Sequence, residues 1–208
     1  MTRVPASWVR RDFRTVGVTQ YRPGRQLAAV QAHLVGRALL CIDVSGSMSG
    51  EPLHAAVEGG LDFLSEARSA HYRCGLILWN DQVVVHLPTG TSQRKVEARL
   101  RAAVASGGTS LAPAVSAATT ELGPLTGDRV VCVFGDGGIG DPGPAEEAAA
   151  RARGMGIRFV VRGLGPHASD SLASALDADG PRADRTIEDV GGVRRGIASM
   201  VESLRARR

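Results

Sequence analysis

Aromatic side chains are scarce in this 208-residue sequence: four Phe, two Tyr and two Trp, 4% in all. A nucleic-acid binder normally interleaves aromatics with a basic stripe or carries a recognisable module, and neither is present. Nucleic acid is therefore not an expected partner. Cysteine is scarce as well, with Cys41, Cys74 and Cys132 each inside an apolar run. An odd count, with no Cys-x-x-Cys and no Cys/His ligand spacing, argues against a disulfide framework or a zinc ligand set. The three are expected to act as buried small hydrophobes in a reducing compartment. No stretch approaches the ~18 to 20 apolar residues of a membrane span. Met1-Thr2-Arg3-Val4-Pro5 opens no apolar signal region, so a cytoplasmic protein without membrane contact is expected.

What is present describes an ordinary globular domain. The chain is 43% hydrophobic and 22% charged, and its 26 glycines favour tight turns and close packing. The net charge of +4 is mild. Its arginines gather at the ends: Arg10, Arg11, Arg14, Arg22 and Arg25, then Arg194, Arg195, Arg205, Arg207 and Arg208. Solvated termini account for that distribution.

Apolar runs alternate with helical periodicity along most of the chain. Residues 37–43, 72–79, 129–134 and 157–161 read as strands buried on both faces. Asn80-Asp81 separates the second run from Val83-Val84-Val85, which predicts a hairpin and an antiparallel third strand. A sixth short strand is placed near Arg185-Thr186-Ile187. Leu53, Val57, Leu61 and Leu64 form one helical stripe beginning after Pro52. Further helices are predicted over 92–105 (with Val96, Leu100 and Val104 as the buried side), to about Glu121, over 144–153, over 169–176 and over 190–204. The expected fold is α/β: a doubly wound, mainly parallel six-stranded sheet with one antiparallel edge strand and helices on both faces. Residues 1–35 are expected to be an extension packed on a domain spanning 36–208.

Three loops put oxygen donors at places where such a sheet binds ligands, beyond the carboxyl ends of strands. Asp43, Ser45 and Ser47 follow the first strand, Thr109 follows a double glycine, and Asp136 ends the fourth strand. Carboxylate and hydroxyl oxygens suit Mg²⁺ or Mn²⁺, and Ca²⁺ less tightly. Taken singly, Ser45, Ser47 and Thr109 could each be a helix N-cap and Asp136 a turn residue.

Asp43-Val44-Ser45-Gly46-Ser47 resembles the D-x-S-x-S motif of von Willebrand factor A (VWA) domains. Gly108-Thr109 is similar to that family's threonine loop. Phe134-Gly135-Asp136-Gly137 resembles its T-D-G motif, with Gly135 in place of the threonine. The resemblance covers about residues 37–205. It implies a metal-ion-dependent adhesion site (MIDAS) holding Mg²⁺, or Mn²⁺ or Ca²⁺, through Asp43, Ser45, Ser47, Thr109 and Asp136. The remaining coordination position would take a Glu or Asp from a protein partner, with Met48, Ser49, Gly108 and Gly137 around it. It implies an interaction module and no enzyme. Gly50-Glu51-Pro52-Leu53 is further similar to compact intracellular bacterial members, including those encoded with tellurium-resistance-type stress systems. Such relatives act as adaptors in stress or ATPase-associated assemblies.

Rival readings are weaker on inventory. Gly135-Asp136-Gly137-Gly138-Ile139-Gly140 is formally a dinucleotide loop, but no acidic ribose partner follows at the required distance and Pro142 and Pro144 delay the helix. A hydrolase or phosphatase using the same Asp/Ser/Thr cluster is the alternative function. The order of Ser45 or Ser47, Asp136 or Asp141, then His167 mimics a triad, yet there is no Gly-x-Ser-x-Gly elbow and no phosphate-binding lysine in these loops. His33, His54, His71 and His86 share no ligand spacing.

Overall fold

A computed structural model describes residues 35–178 and 182–205. The packed extension expected over residues 1–35 falls outside them, apart from Val35.

The strands are β1 (Gly36–Asp43), β2 (Tyr72–Trp79), β3 (Val83–Leu87), β4 (Arg129–Gly135), β5 (Arg158–Leu164) and β6 (Thr186–Ile187). They form one sheet in the order β3-β2-β1-β4-β5-β6. Only β3 runs antiparallel, as the Asn80-Asp81 turn requires. The order reverses between β1 and β4, which pair in parallel at the centre. That junction is the switch point at which an open α/β sheet leaves a crevice.

The helices are α1 (Glu51–Ser69), α2 (Gln93–Arg101), α3 (Ala112–Leu122), α4 (Pro142–Gly154), α5 (Pro166–Leu176), α6 (Arg182–Arg185) and α7 (Val190–Arg205). One face of the sheet is covered by α1, α2 and α7 around Leu40, Ile42, Phe63, Leu78 and Ile197. The other is covered by α3, α4 and α5 around Leu39, Cys41, Trp79, Val133 and Leu172. Alternate residues of β1 thus feed opposite cores, so the strand is apolar from Ala38 to Ile42. All three cysteines are free; Cys41 and Cys132 are buried and Cys74 is half-buried. Burial raises each thiol's pKa, which makes them poor nucleophiles.

Two helical faces differ from the periodicity. Along α1 the buried residues are Leu53, Ala56, Gly59, Gly60, Phe63, Leu64 and Ala67, while Val57 and Leu61 are only partly covered. The small residues let α1 lie close to the sheet and to α7, so the stripe turns toward them. α2 stops at Arg101, and Val104 is 73% exposed instead of buried. The chain leaves the helix there because Ser106 N–H donates to the Val44 carbonyl at 2.8 Å. That bond draws the segment toward the end of β1.

Candidate functional site

β1 ends by delivering Asp43 and Ser45 into near-complete burial, each 1% exposed. Pairing continues one step past the strand, with Val44 N–H donating to the Trp79 carbonyl at 2.7 Å. The Ser45 N–H donates to Asp43 Oδ1 at 2.7 Å. Ser45 Oγ and Ser47 Oγ lie 3.1 Å apart, and Ser47 Oγ donates to Asp136 Oδ1 at 2.9 Å. A continuous row of oxygens therefore runs from Asp43 through both serines to Asp136. The register explains it: Ile42 faces Phe134 across the β1/β4 pair, so the two loops leave the sheet side by side.

One atom in this row is unsatisfied. Asp43 Oδ2 is buried and accepts no hydrogen bond from any described residue. A carboxylate oxygen in that state is costly unless a cation or donor meets it. Burial pushes the Asp43 pKa up from 3.8 to about 6; the Ser45 N–H and hydroxyl pull it back, and the charge of Asp136 adds to the rise. Gly135 keeps the surroundings of that oxygen open. A Cβ there would sit 3.3 Å from Asp43 Oδ2 and 3.5 Å from Leu172 Cδ1. Glycine in place of the threonine of the T-D-G motif thus removes both a methyl and a competing hydroxyl donor.

The Thr109 loop is fastened to the other two by backbone bonds. Gly46 N–H donates to the Gly107 carbonyl at 3.0 Å, and Gly140 N–H donates to the Thr109 carbonyl at 2.8 Å. Asn80, 4% exposed, clamps the loop from the end of β2: its Nδ2 donates to the Ser106 carbonyl at 2.8 Å, and its own carbonyl accepts from Ser110 N–H at 2.8 Å. Asp141 holds the far side, accepting from Leu111 N–H at 2.7 Å and Ala112 N–H at 2.9 Å. The half-buried Thr109 makes no side-chain hydrogen bond with any described residue.

Neither Ser45 nor Thr109 makes a side-chain cap bond. Ser45 precedes a 3-10 turn, Gly46–Met48, without a side-chain cap bond. The α3 N-terminus has Leu111 at the cap position and is served by Asp141, leaving the Thr109 hydroxyl unused. Of the residues proposed to face a partner, Ser49 and Gly108 are exposed and Gly137 is half-buried. Met48 is a correction: its side chain is 0% exposed and packs in the core beside α1, because the 3-10 turn points it inward. The loop-clamping roles of Asn80 and Asp141 carry no signal in the sequence. Their partners are backbone groups up to 30 positions away, which no motif records.

Asp141→Ala would leave the first two amides of the α3 entry unpaired. The expected cost is about 2 kcal/mol in urea unfolding, from two charge-assisted bonds lost at a helix start. A cost under about 0.5 kcal/mol would show that water replaces the carboxylate.

Residues 38–138 match the von Willebrand factor type A domain family. No curated protein matched the sequence. Among solved structures, an aerotolerance-related membrane protein from Bacteroides fragilis is similar at 14% identity and a TM-score of 0.62, over 81% of this chain and 99% of that one. Proximal thread matrix protein 1 from the mussel byssus, with a zinc-occupied MIDAS motif, is similar at 12% identity and a TM-score of 0.64, over 80% of this chain and 46% of that one. The pilus adhesin SpaC from Lactobacillus rhamnosus GG is similar at 12% identity and a TM-score of 0.65, over 82% of this chain and 30% of that one. The chain therefore spans less than half of the mussel protein and of the adhesin. At these identities the likeness is one of fold.

Proposed function

From the match of residues 38–138 to the von Willebrand factor type A domain family, we propose that the site binds a divalent cation and uses it to hold an acidic side chain of a protein partner. The observation that carries this reading is the buried, unpartnered Asp43 Oδ2 at one end of a row of oxygens. The donor set fits a hard ion. Among the described residues no group of three or more His, Cys, Asp or Glu exists to hold a metal. Two carboxylates and three hydroxyls remain, a set that favours Mg²⁺, then Mn²⁺ or Ca²⁺. Asp43, Ser45, Ser47, Thr109 and Asp136 would hold it. A bound ion of this kind supplies positive charge that attracts a carboxylate from outside.

The chain's own residues do the rest. Asp43 and Ser45 are held rigidly by β1 and by the Ser45 N–H bond. Exposed Ser47 can exchange its bond to Asp136 for another partner. Asn80 and Asp141 keep the Thr109 loop in register with them. Exposed Ser49 carries a small side chain and exposed Gly108 none, so a partner's Glu or Asp can approach closely.

Binding is favoured over catalysis by what the triad candidates do. The Asp141 carboxylate is engaged by two amides, Asp136 accepts from Ser47, and His167 is exposed in the first turn of α5. The finer reading is an adaptor of a bacterial, cytoplasmic stress or ATPase-associated assembly. It rests on the Gly50-Glu51-Pro52-Leu53 similarity and on three unpaired thiols. No helix among the described residues is long and apolar enough to cross a membrane.

The test is capture of partners on the immobilised chain in Mg²⁺ and in chelator, with Asp136→Ala alongside. Partners should be retained only by the wild type in Mg²⁺. Retention that ignores both the chelator and the substitution would refute the metal bridge.

A further inference from the structure

At the opposite end of the sheet from the Asp43 site lies a cavity of about 460 Å³. It is bounded by the end of α1, the start of β2 and the Thr89–Ser92 segment leading into α2. That volume is typical of a small-molecule site.

Its polar lining is cationic and donor-rich. Arg68, Arg73 and Arg94 line it, and among the described residues no Asp or Glu does. The N-terminus of α2 opens onto it without a side-chain cap, since Ser92 makes no cap bond. The Gln93 and Arg94 amides donate to no described residue, as expected of the first amides of an uncapped helix. Thr89 supplies an independent observation. It is only 4% exposed, it lines the cavity, and its hydroxyl makes no hydrogen bond with any described residue. Leu64, Val96 and the half-buried Cys74 form an apolar wall.

We propose that this cavity binds a small phosphomonoester. The anionic group would sit at the α2 N-terminus between Arg94, Arg68 and the Thr89 hydroxyl, with the organic body against Leu64 and Val96. Free helix amides and arginines are the groups that recognise tetrahedral oxyanions. The volume exceeds what a bare phosphate fills, and the apolar wall requires a body to cover it. Arg68 Nη1 donates to Gln93 Oε1 at 2.7 Å, which holds that guanidinium beside the helix entry. The site is independent of the metal reading, because none of its residues belongs to the Asp43 loops.

The experiment is calorimetric titration of the full chain with adenosine 5′-monophosphate, glucose 6-phosphate, adenosine and inorganic phosphate. At least one ester should bind about tenfold or more tightly than adenosine, and inorganic phosphate should compete with it. Arg94→Glu, at an exposed position, should weaken that ester about tenfold or more, and Thr89→Val several-fold. Asp43→Ala should leave the affinity unchanged. The assignment is overturned if no ester outbinds adenosine, if Arg94→Glu has no effect, or if Asp43→Ala abolishes binding. A phosphoserine peptide binding tighter than either ester would overturn the small-molecule class.

Discussion

Asp43→Asn should make the metal-free protein more stable at neutral pH while abolishing its stabilisation by Mg²⁺. In the folded chain the Asp43 carboxyl titrates at about 6 instead of 3.8. The folded state then holds a proton that the unfolded state has released between those values, so stability declines as pH rises through that window. Above it the buried charge is a standing penalty. Two pH units correspond to roughly 3 kcal/mol at most. Asparagine removes the charge and keeps an oxygen for the Ser45 N–H, but its amide brings a donor of its own, so a net gain of about 1–2 kcal/mol is expected. The melting temperature without metal should rise by about 2–8 °C for a domain of this size. The wild type should show the reverse dependence on the ion. Below about pH 6 a proton competes for the same oxygen, and Mg²⁺ affinity should fall about tenfold per pH unit. Differential scanning calorimetry with and without Mg²⁺, across pH, measures both. An Asp43→Asn protein that melts lower without metal, or still responds to Mg²⁺, would refute this account.

Gly107→Ala should damage the site through the Thr109 loop. Gly107 has φ of +78°, a conformation that costs alanine about 1 kcal/mol. A Cβ there would also fall 2.6 Å from Asp81 Oδ1 and 2.7 Å from Asn80 Nδ2. Asp81 is exposed and can swing away, but Asn80 is buried and committed to the Ser106 carbonyl. Strain and displacement together should cost about 3 kcal/mol and weaken Mg²⁺ binding about tenfold, because Thr109 moves with its loop. Gly108→Ala is the control. Its Cβ would approach nothing nearer than Asp81 Cβ at 3.8 Å, and it should change stability by under about 0.5 kcal/mol. Equal effects from the two substitutions would remove the special role of Gly107.

These two glycines also mark how far the sequence alone could be read. The double glycine is visible as a close-approach signal, but which of the pair carries the strain depends on Asn80, a contact across the fold. The strands were legible because burial on both faces leaves an uninterrupted apolar run, and Tyr72–Trp79 was placed to the residue. The helical faces were less so. Large side chains such as Val57 and Leu61 dominate any periodicity count, whereas Ala56, Gly60 and Ala67 carry the close packing of α1. Val104 continued the Val96–Leu100 spacing, yet a single backbone bond at Ser106 ended the pattern. Met48 sat beside the motif in the chain but beneath it in space. In the site, side chains that face one another from motif loops were readable; those whose work is to hold backbone, Asn80 and Asp141, were not.

The central placement of β1 and β4 bears on how this domain would respond to mechanical load. On the proposed function, a partner held through Asp43 and Asp136 would pull on the C-terminal ends of the two innermost strands. β1 is registered with β2 from Gly36 to Asp43 and with β4 from Arg37 to Ile42. A force along the strand axis therefore meets those cross-strand bonds together, as shear, instead of opening them one after another from an edge. Tension applied at this site is shared across the middle of the sheet, while the short β6 edge and the antiparallel β3 hairpin lie outside the line of force.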